Sequence, residues 1–146
     1  MSTENASSNA PATASPLASA PAYASIPAKD LARARDWYDA KLGLRPTRDL
    51  GGNGLVYETG GTGFVVYPTP FAGTGKHTIA GWAVADIDAT MALLRDRGVT
   101  FEEYDGTNGP KTENGVARAD GGAAAWFKDS EDNILNLSQD PEQSNR

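Results

Sequence analysis

The sequence predicts an α+β domain made of two similar halves, each with the order strand, helix, strand, strand, strand. Residues 24–43 and 79–98 share one design, in which a short apolar segment is followed by an Asp, a helical segment and a Gly. A Gly-Gly pair precedes a hydrophobic strand in each half, at residues 60–61 and 121–122. Residues 68–76, which are rich in Pro and Gly, join the halves. This repeat predicts a pseudo-symmetric sheet with a cleft between its halves.

The first half starts with a predicted strand over residues 23–28. Asp30 is the predicted N-cap of a helix, because its carboxylate can accept hydrogen bonds from the free N–H groups of the first turn. Apolar residues recur at spacings of three and four along this helix, at Leu31, Ala34, Tyr38 and Leu42. Gly43 supplies the left-handed residue that ends it. Three strands separated by Gly-rich turns are predicted next, over residues 45–50, 55–59 and 63–67.

The second half repeats this order, with a predicted strand over residues 78–84 and a helix that follows Asp86. Three further strands are predicted, over residues 100–104, 123–128 and 134–138. The interval between the first two of these strands is longer than its counterpart in the first half. It is predicted to hold an exposed loop, residues 106–111, and an extra hairpin, residues 113–120.

Length and composition exclude several classes of protein. The 146 residues are enough for one soluble domain with a hydrophobic core. The net charge of −6, from 13 basic and 19 acidic residues, argues against a nucleic-acid partner, because a phosphate backbone requires a basic surface. The absence of cysteine excludes disulfides, a thiolate nucleophile and a cysteine–zinc site. No apolar run approaches the ~20 residues that cross a membrane, so no membrane partner is predicted.

The two ends of the chain are predicted to be tails. Residues 1–22 consist mainly of Ala, Ser, Thr, Asn and Pro, cannot bury enough surface to offset the entropy of ordering, and are predicted to be disordered. They lack the basic and apolar regions of a secretory signal, which predicts a cytoplasmic location. A single domain is predicted over residues 23–140, with module one at 23–68 and module two at 77–139, and residues 141–146 are a C-terminal tail.

Residues 127–133 read Phe-Lys-Asp-Ser-Glu-Asp-Asn, and the duplicated strand–helix segments read IPAKDLARARDWYDAKLGL and GWAVADIDATMALLRDRGV. Together they resemble the vicinal oxygen chelate superfamily, which includes glyoxalase I, bleomycin- and fosfomycin-resistance proteins and extradiol dioxygenases. The family usually has aromatic-x-Asp-Pro-x-Gly-Asn at the first of these segments, so that Ser130 replaces Pro and Asp132 replaces Gly. The resemblance implies two βαβββ modules that form an open, cup-shaped mixed sheet with helices outside. It also implies a homodimer, with the cup completed at or near the subunit interface.

Metal-dependent members of this family hold a divalent ion in the cup, through His or Glu on the first strand of each module and carboxylates on the last strands. Counting back from each helix-starting Asp places the first-strand positions at Tyr23 and Ile79, and one last-strand position falls on Asn136. The fourth position lies within residues 63–67, which contain no acid. The usual ligands are therefore absent, and neither a metal nor another cofactor is predicted. His77, the only histidine, faces the cup if its strand begins early; otherwise it is an exposed turn residue.

Side-chain alternation along each strand predicts which residues line the cup. The predicted ligand-binding residues are Tyr23, Ser25, His77, Ile79, Gly81, Asn136 and Ser138. They are small, neutral and partly aromatic, which suits an uncharged or aromatic ligand held by shape, stacking and a few hydrogen bonds. Tyr57, Tyr67, Tyr104 and Trp126 are further candidates, but the pattern does not fix which face of the sheet each of them occupies. No catalytic residue is identified.

Three functions are compatible with these observations. The first is a metal-independent small-molecule-binding protein of sequestering or resistance type, and the missing metal ligands favour it. The second is a glyoxalase-like lyase or isomerase, either metal-dependent through displaced ligands or metal-independent through Tyr23, His77 or an acid in the cup. The third is a partner-binding or regulatory domain with a vestigial cup.

Overall fold

The computed structural model describes residues 15–141, and in this part of the chain two four-stranded mixed sheets each carry one helix. The elements of module one are β1 (Ala24–Ala28), α1 (Leu31–Trp37) with a π-helical extension (Tyr38–Leu42), β2 (Arg48–Asp49), β3 (Leu55–Thr59) and β4 (Thr62–Pro68). Strand β1 is parallel to β4, and antiparallel pairs complete the order β1-β4-β3-β2. The predicted βαβββ order of the first half is confirmed.

Module two repeats this topology. Its elements are β5 (Thr78–Ala83), α2 (Ile87–Asp96), β6 (Val116–Ala119), β7 (Gly122–Lys128) and β8 (Ile134–Gln139). Strand β5 is parallel to β8, and the sheet order is β5-β8-β7-β6. Because the strand order is the same in both sheets and β1 lies beside β5, the two modules are arranged as a pseudo-symmetric pair. The predicted α+β fold is therefore confirmed.

Two predicted strands differ in the structure. Residues 100–104 form no strand; Phe101 makes one isolated bridge to Phe127, and the outer strand of the sheet is Val116–Ala119, within the predicted extra hairpin. Phe101 is buried and packs edge-to-face on Phe127, so the apolar pattern here reflects core packing without a ladder of hydrogen bonds. In module one the strand predicted over residues 45–50 is reduced to Arg48–Asp49.

Both helices begin at the predicted Asp residues. Asp30 accepts a hydrogen bond from the backbone N–H of Arg33 at 2.9 Å, and Asp86 accepts one from the N–H of Ala89 at 3.0 Å. Gly43 ends the first helix with φ of 70°, a left-handed conformation in which a glycine carries no Cβ penalty. The predicted caps Asp30 and Asp86 thus set the first residue of each helix, and Gly43 sets the end of the first one.

A single hydrophobic core joins the two modules. Trp82 of β5 contacts rings from both sheets: it packs edge-on against Phe64 with centroids 5.7 Å apart and stacks on Phe127 at 6.4 Å. Tyr38 lies 5.7 Å from Tyr57 and 5.8 Å from Phe64 between ring centroids. Because aromatic rings from both modules share one cluster, the modules are packed as one unit.

Residues 129–133, here named the junction loop, connect β7 to β8 and bind module one. Asp129 is the centre of this loop. Its Oδ1 accepts the N–H groups of Glu131 and Asn133 at 2.9 and 3.0 Å, and its Oδ2 accepts the Tyr38 hydroxyl at 2.8 Å. The Asn133 amide donates to the carbonyl of Pro27 at 2.7 Å and accepts the N–H of Gly73 at 3.2 Å. The junction loop therefore holds β1, the first helix and the linker together.

The Glu131 carboxylate continues this attachment at the start of α1. Its side chain is fully buried, and its Oε1 accepts the N–H groups of Lys29 and Asp30 at 2.9 and 3.0 Å. Both carboxylate oxygens also accept from the Arg33 guanidinium, at 2.8 and 2.9 Å, and Oε2 accepts the Ser130 hydroxyl at 2.8 Å. A negative charge near a helix N-terminus is favourable, so Glu131 stabilises the segment that leads into a helix of the other module, beside its N-cap Asp30.

The stability of the protein is expected to fall in acid through Glu131. Burial alone would raise the pKa of this carboxyl, but hydrogen bonds from Arg33, Asp30 and Ser130 outweigh it and lower the pKa from 4.5 to about 2. The stabilisation is therefore complete above pH 4.5 and is lost as the pH falls towards 2. Denaturant unfolding between pH 7 and 2 measures this, and Glu131→Gln is expected to flatten the profile. An unchanged acid profile in Glu131→Gln would contradict the assignment.

The predicted tails fall largely outside the described residues, which exclude 1–14 and 142–146. The described part of the N-terminal segment contains one 3-10 turn, Pro16–Ser19, whose N-cap Ser15 accepts the N–H of Leu17 at 3.0 Å. Leu17 is exposed. The disorder of these tails and the domain limits at residues 23–140 remain predictions.

Candidate functional site

The face of the two sheets that points away from the core, here named the open face, carries most of the predicted cup residues. In β8, Leu135 and Leu137 are buried in the core, whereas Asn136 and Ser138 alternate with them and are half-buried on the open face. In β1, Ser25 is exposed between core residues in the same way. The pairing register brings Gly81 opposite Asn136. The predicted alternation is therefore observed at Ser25, Gly81, Asn136 and Ser138.

Asn136 and Gly81 are in close contact at the middle of this face. A Cβ built on Gly81 would collide with Oδ1 of Asn136, so the amide lies across the glycine. No hydrogen bond to the Asn136 side chain is present among residues 15–141. The missing side chain at position 81 thus makes room for an amide whose donor and acceptor remain free for a ligand.

Ile79 does not follow the regular strand alternation from which the cup lining was predicted. The pairing of β5 with β8 is irregular between Thr78 and Ala80, which are matched to the adjacent residues Ile134 and Leu135. Ile79 is the extra residue of this bulge, is half-buried and packs against the hydrophobic core. A bulge therefore breaks the two-residue alternation on which the predicted place of Ile79 in the cup depended, and its part in ligand binding stays a prediction.

The remaining two predicted residues, Tyr23 and His77, line two different hollows. Tyr23 immediately precedes β1 and is 67% exposed, at a hollow of about 790 Å³ over module one. His77 is an exposed residue in the bend before β5 and lines a larger depression over module two. His77 is thus an exposed bend residue that borders the depression, and its part in ligand binding stays a prediction.

The depression over module two has a volume of about 960 Å³. Its aromatic residues, Trp126 and Tyr104, meet edge-to-face with ring centroids 5.6 Å apart and an interplanar angle of 65°. Burial raises the pKa of the Tyr104 phenol, which stays a hydrogen-bond donor at neutral pH. Other lining groups include His77, Thr78, Glu102, Asp105, Lys128 and Ile134. Sequence reasoning left the faces of Trp126 and Tyr104 open because the strand pairing that fixes them cannot be read from a pattern.

The residues at the family's metal positions do not fit a divalent ion. Tyr23, Ile79 and Asn136 offer a phenol, an aliphatic chain and a neutral amide, whereas divalent zinc, nickel, manganese or iron prefers imidazole and carboxylate. Within residues 15–141 no group of three or more His, Asp or Glu side chains is placed to hold a metal ion.

The comparisons with known proteins agree with this architecture. The family model "Glyoxalase/Bleomycin resistance protein/Dioxygenase superfamily" matches residues 20–133. TnmS3, an antibiotic binding protein from Streptomyces sp. CB03234, is 25% identical with a TM-score of 0.57, over 80% of this chain and 92% of that one. A glyoxalase/bleomycin resistance protein from the same strain is 26% identical with a TM-score of 0.59, over 82% and 99%.

A third solved structure, lactoylglutathione lyase from Agrobacterium tumefaciens, is 15% identical with a TM-score of 0.63, over 86% of this chain and 97% of that one; it shows the fold alone. No curated protein matches the sequence. Among the described residues, no helix has the length and apolar character needed to cross a membrane.

Proposed function

Because this chain belongs to the glyoxalase/bleomycin resistance protein/dioxygenase superfamily, we propose that it binds a small organic molecule on its open face without a metal ion. The observation that carries this proposal is the set of side chains at the family's metal positions. Tyr23 and Asn136 stand at two of these positions, Ile79 at the third lies in the bulge of β5, and residues 63–67 supply no acid. A protein that has the family fold but lacks the metal-ligating side chains keeps the binding surface of the cup without its metal centre.

The polar groups of the open face support a binding role. The side chains of Ser25, Asn136 and Ser138 make no hydrogen bond to the described residues, so a ligand can use them without breaking a protein contact. The depression over module two, at about 960 Å³, falls within the ~300–1,000 Å³ of ligand pockets. Its mixture of aromatic rings and a few polar groups is the usual composition of such pockets.

Sequestration is the mode of action we propose. A binding protein that holds a toxic molecule lowers its free concentration and needs no chemistry. The likeness to TnmS3, which is described as an antibiotic binding protein, supports this mode, because this chain matches 92% of its length at 25% identity.

The predicted homodimer and cytoplasmic location are part of the same proposal. Over module one, Tyr23 and Leu50 are exposed at 67% and 38% beside the hollow of about 790 Å³. Exposed apolar groups around a hollow are common where a second subunit or a ligand packs. A second copy of the chain would cover these groups and deepen the cup.

The alternative function, a glyoxalase-like lyase or isomerase, has less support. His77 is the only histidine available as a base, and it is exposed with no hydrogen-bond partner among residues 15–141. A general base is normally oriented by a further group, and His77 has none in this part of the chain.

The binding proposal is tested by thermal unfolding in the presence of bleomycin and of a panel of aromatic antibiotics. A molecule that binds the folded state raises Tm by mass action. For any molecule that does so, Asn136→Ala is expected to weaken binding about three- to tenfold, the cost of one hydrogen bond, with Tm of the free protein almost unchanged. Tyr23→Ala is the matched variant on module one. If both variants bind as tightly as the wild type, the ligand contacts neither of these predicted cup residues and the predicted lining of the cup is contradicted.

A further inference from the structure

The side chain of Trp126 extends across the open face. Trp126 is in β7 and Thr78 is in β5, with β8 between them, yet the indole Nε1 donates to the Thr78 hydroxyl at 3.0 Å. Neighbouring strands are ~4.8 Å apart, so these two backbones are separated by about 10 Å. A side chain that stood up from the sheet could not span this distance. The ring must therefore extend along the sheet, across β8.

In this position the indole borders the depression over module two. Trp126 is half-buried and lines the depression of about 960 Å³. Tyr104 stands at 65° to it with ring centroids 5.6 Å apart. The two rings meet at a steep angle beside the depression, an arrangement that lets a planar ring stack on one of them while it contacts the other.

We propose that Trp126 is the stacking platform for a planar aromatic ligand, and that Thr78 is a positioning residue that holds the indole in place. This inference rests on the proposed function and names its ligand class. The lining carries charges of both signs, with the acids Glu102, Glu103, Asp105 and Asp132 against Lys76 and Lys128. This acidic excess favours a cationic ligand over an anionic one, whereas the aromatic rings select for planarity. An aromatic platform recognises any flat π-system, since every such system has a face to stack.

Three probes separate planarity from charge. Proflavine is a planar cation, 2-naphthol is planar and uncharged, and 1-aminoadamantane is a globular saturated cation of similar carbon count to 2-naphthol. Equilibrium dialysis against the full-length protein is expected to show binding of both planar probes and at least about tenfold weaker binding of 1-aminoadamantane. Equal binding of the two cations, with none of 2-naphthol, would overturn the inference in favour of charge recognition.

Variants of the two residues test the platform itself. Trp126→Leu is expected to weaken proflavine binding about tenfold, and Thr78→Val about threefold, because the indole is no longer held in place. Thr78→Ser keeps the hydroxyl and is expected to restore the wild-type affinity, which a merely structural role of the methyl group would not do. Thermal unfolding of each free variant confirms that it is folded.

Different results would contradict this inference and the proposed function. If Trp126→Leu and Thr78→Val bind proflavine as tightly as the wild type, while Asn136→Ala binds it more weakly, the platform is wrong and binding on the open face stands. If the wild-type protein binds none of the three probes, the stacking site is overturned. If it also gives no thermal shift with any antibiotic of the panel, the proposed function falls with it.

Discussion

Glu131→Ala is expected to lower the free energy of unfolding by about 3 kcal/mol. The carboxylate is fully buried and accepts five hydrogen bonds, from the N–H groups of Lys29 and Asp30, from Arg33 twice and from Ser130. Removing it leaves two backbone N–H groups at the start of α1 without their acceptor. Arg33 is half exposed and can turn to water, which keeps the loss below that for a fully buried pair.

Denaturant unfolding of the wild type and the variant measures this change. Glu58→Ala is a matched control, because Glu58 is an exposed glutamate whose side chain makes no hydrogen bond to residues 15–141, and its loss is expected to change stability by less than about 0.5 kcal/mol. A Glu131 variant that is as stable as the control would show that the junction loop does not hold the modules together.

Asp129→Ala is expected to destabilise the protein by a similar amount, about 3 kcal/mol. Its two oxygens accept four hydrogen bonds, from the Tyr38 hydroxyl, from the N–H groups of Glu131 and Asn133 and from the Asn133 amide. The Tyr38 side chain is completely buried, so its hydroxyl would be left without a partner in the core. A buried hydroxyl without a hydrogen-bond partner lowers the free energy of unfolding by more than removal of the hydroxyl does.

Tyr38→Phe separates these contributions, because it removes one hydrogen bond and the hydroxyl together. It is expected to cost about 1.5 kcal/mol, roughly half the loss in Asp129→Ala. Hydrogen exchange of the α1 amides gives a second readout, since opening of the junction loop should expose the first turn of that helix. Losses of equal size in the two variants would mean that Tyr38 alone accounts for the role of Asp129.

The sequence predicts the fold well because the signals of the fold are local. Asp30 and Asp86 each bind an N–H three residues further along, and the Gly-Gly pairs mark turns between adjacent strands. The segment 127–133 resembled a family motif, but its role could not be read from spacing. Glu131 binds residues about a hundred positions earlier in the chain, and only the folded structure brings them together.

The backbone conformation of Asp132 explains why the family pattern has glycine at this position. The family usually has Gly at this position, and here Asp132 adopts φ of 67°, in the left-handed region. Aspartate tolerates this conformation better than most residues, which explains how the junction loop keeps its shape after losing the glycine.

The candidate site was only partly predictable because it depends on strand register and sheet order. The faces of Ser25, Asn136 and Ser138 follow from regular alternation, and the structure agrees. The predicted place of Ile79 depended on the same alternation, which a bulge in β5 interrupts, and nothing in the local sequence marks this bulge. The position of Trp126 depends on a hydrogen bond across an intervening strand, which requires knowledge of the sheet order.

The most direct test of metal-independent binding is a calorimetric titration of proflavine into protein stripped with EDTA, repeated after addition of zinc, nickel or manganese. We expect one Kd in all samples, because Tyr23, Ile79 and Asn136 supply no imidazole or carboxylate to hold an ion. Binding that disappears in EDTA and returns with one of the metals would contradict the account and place a metal centre on the open face.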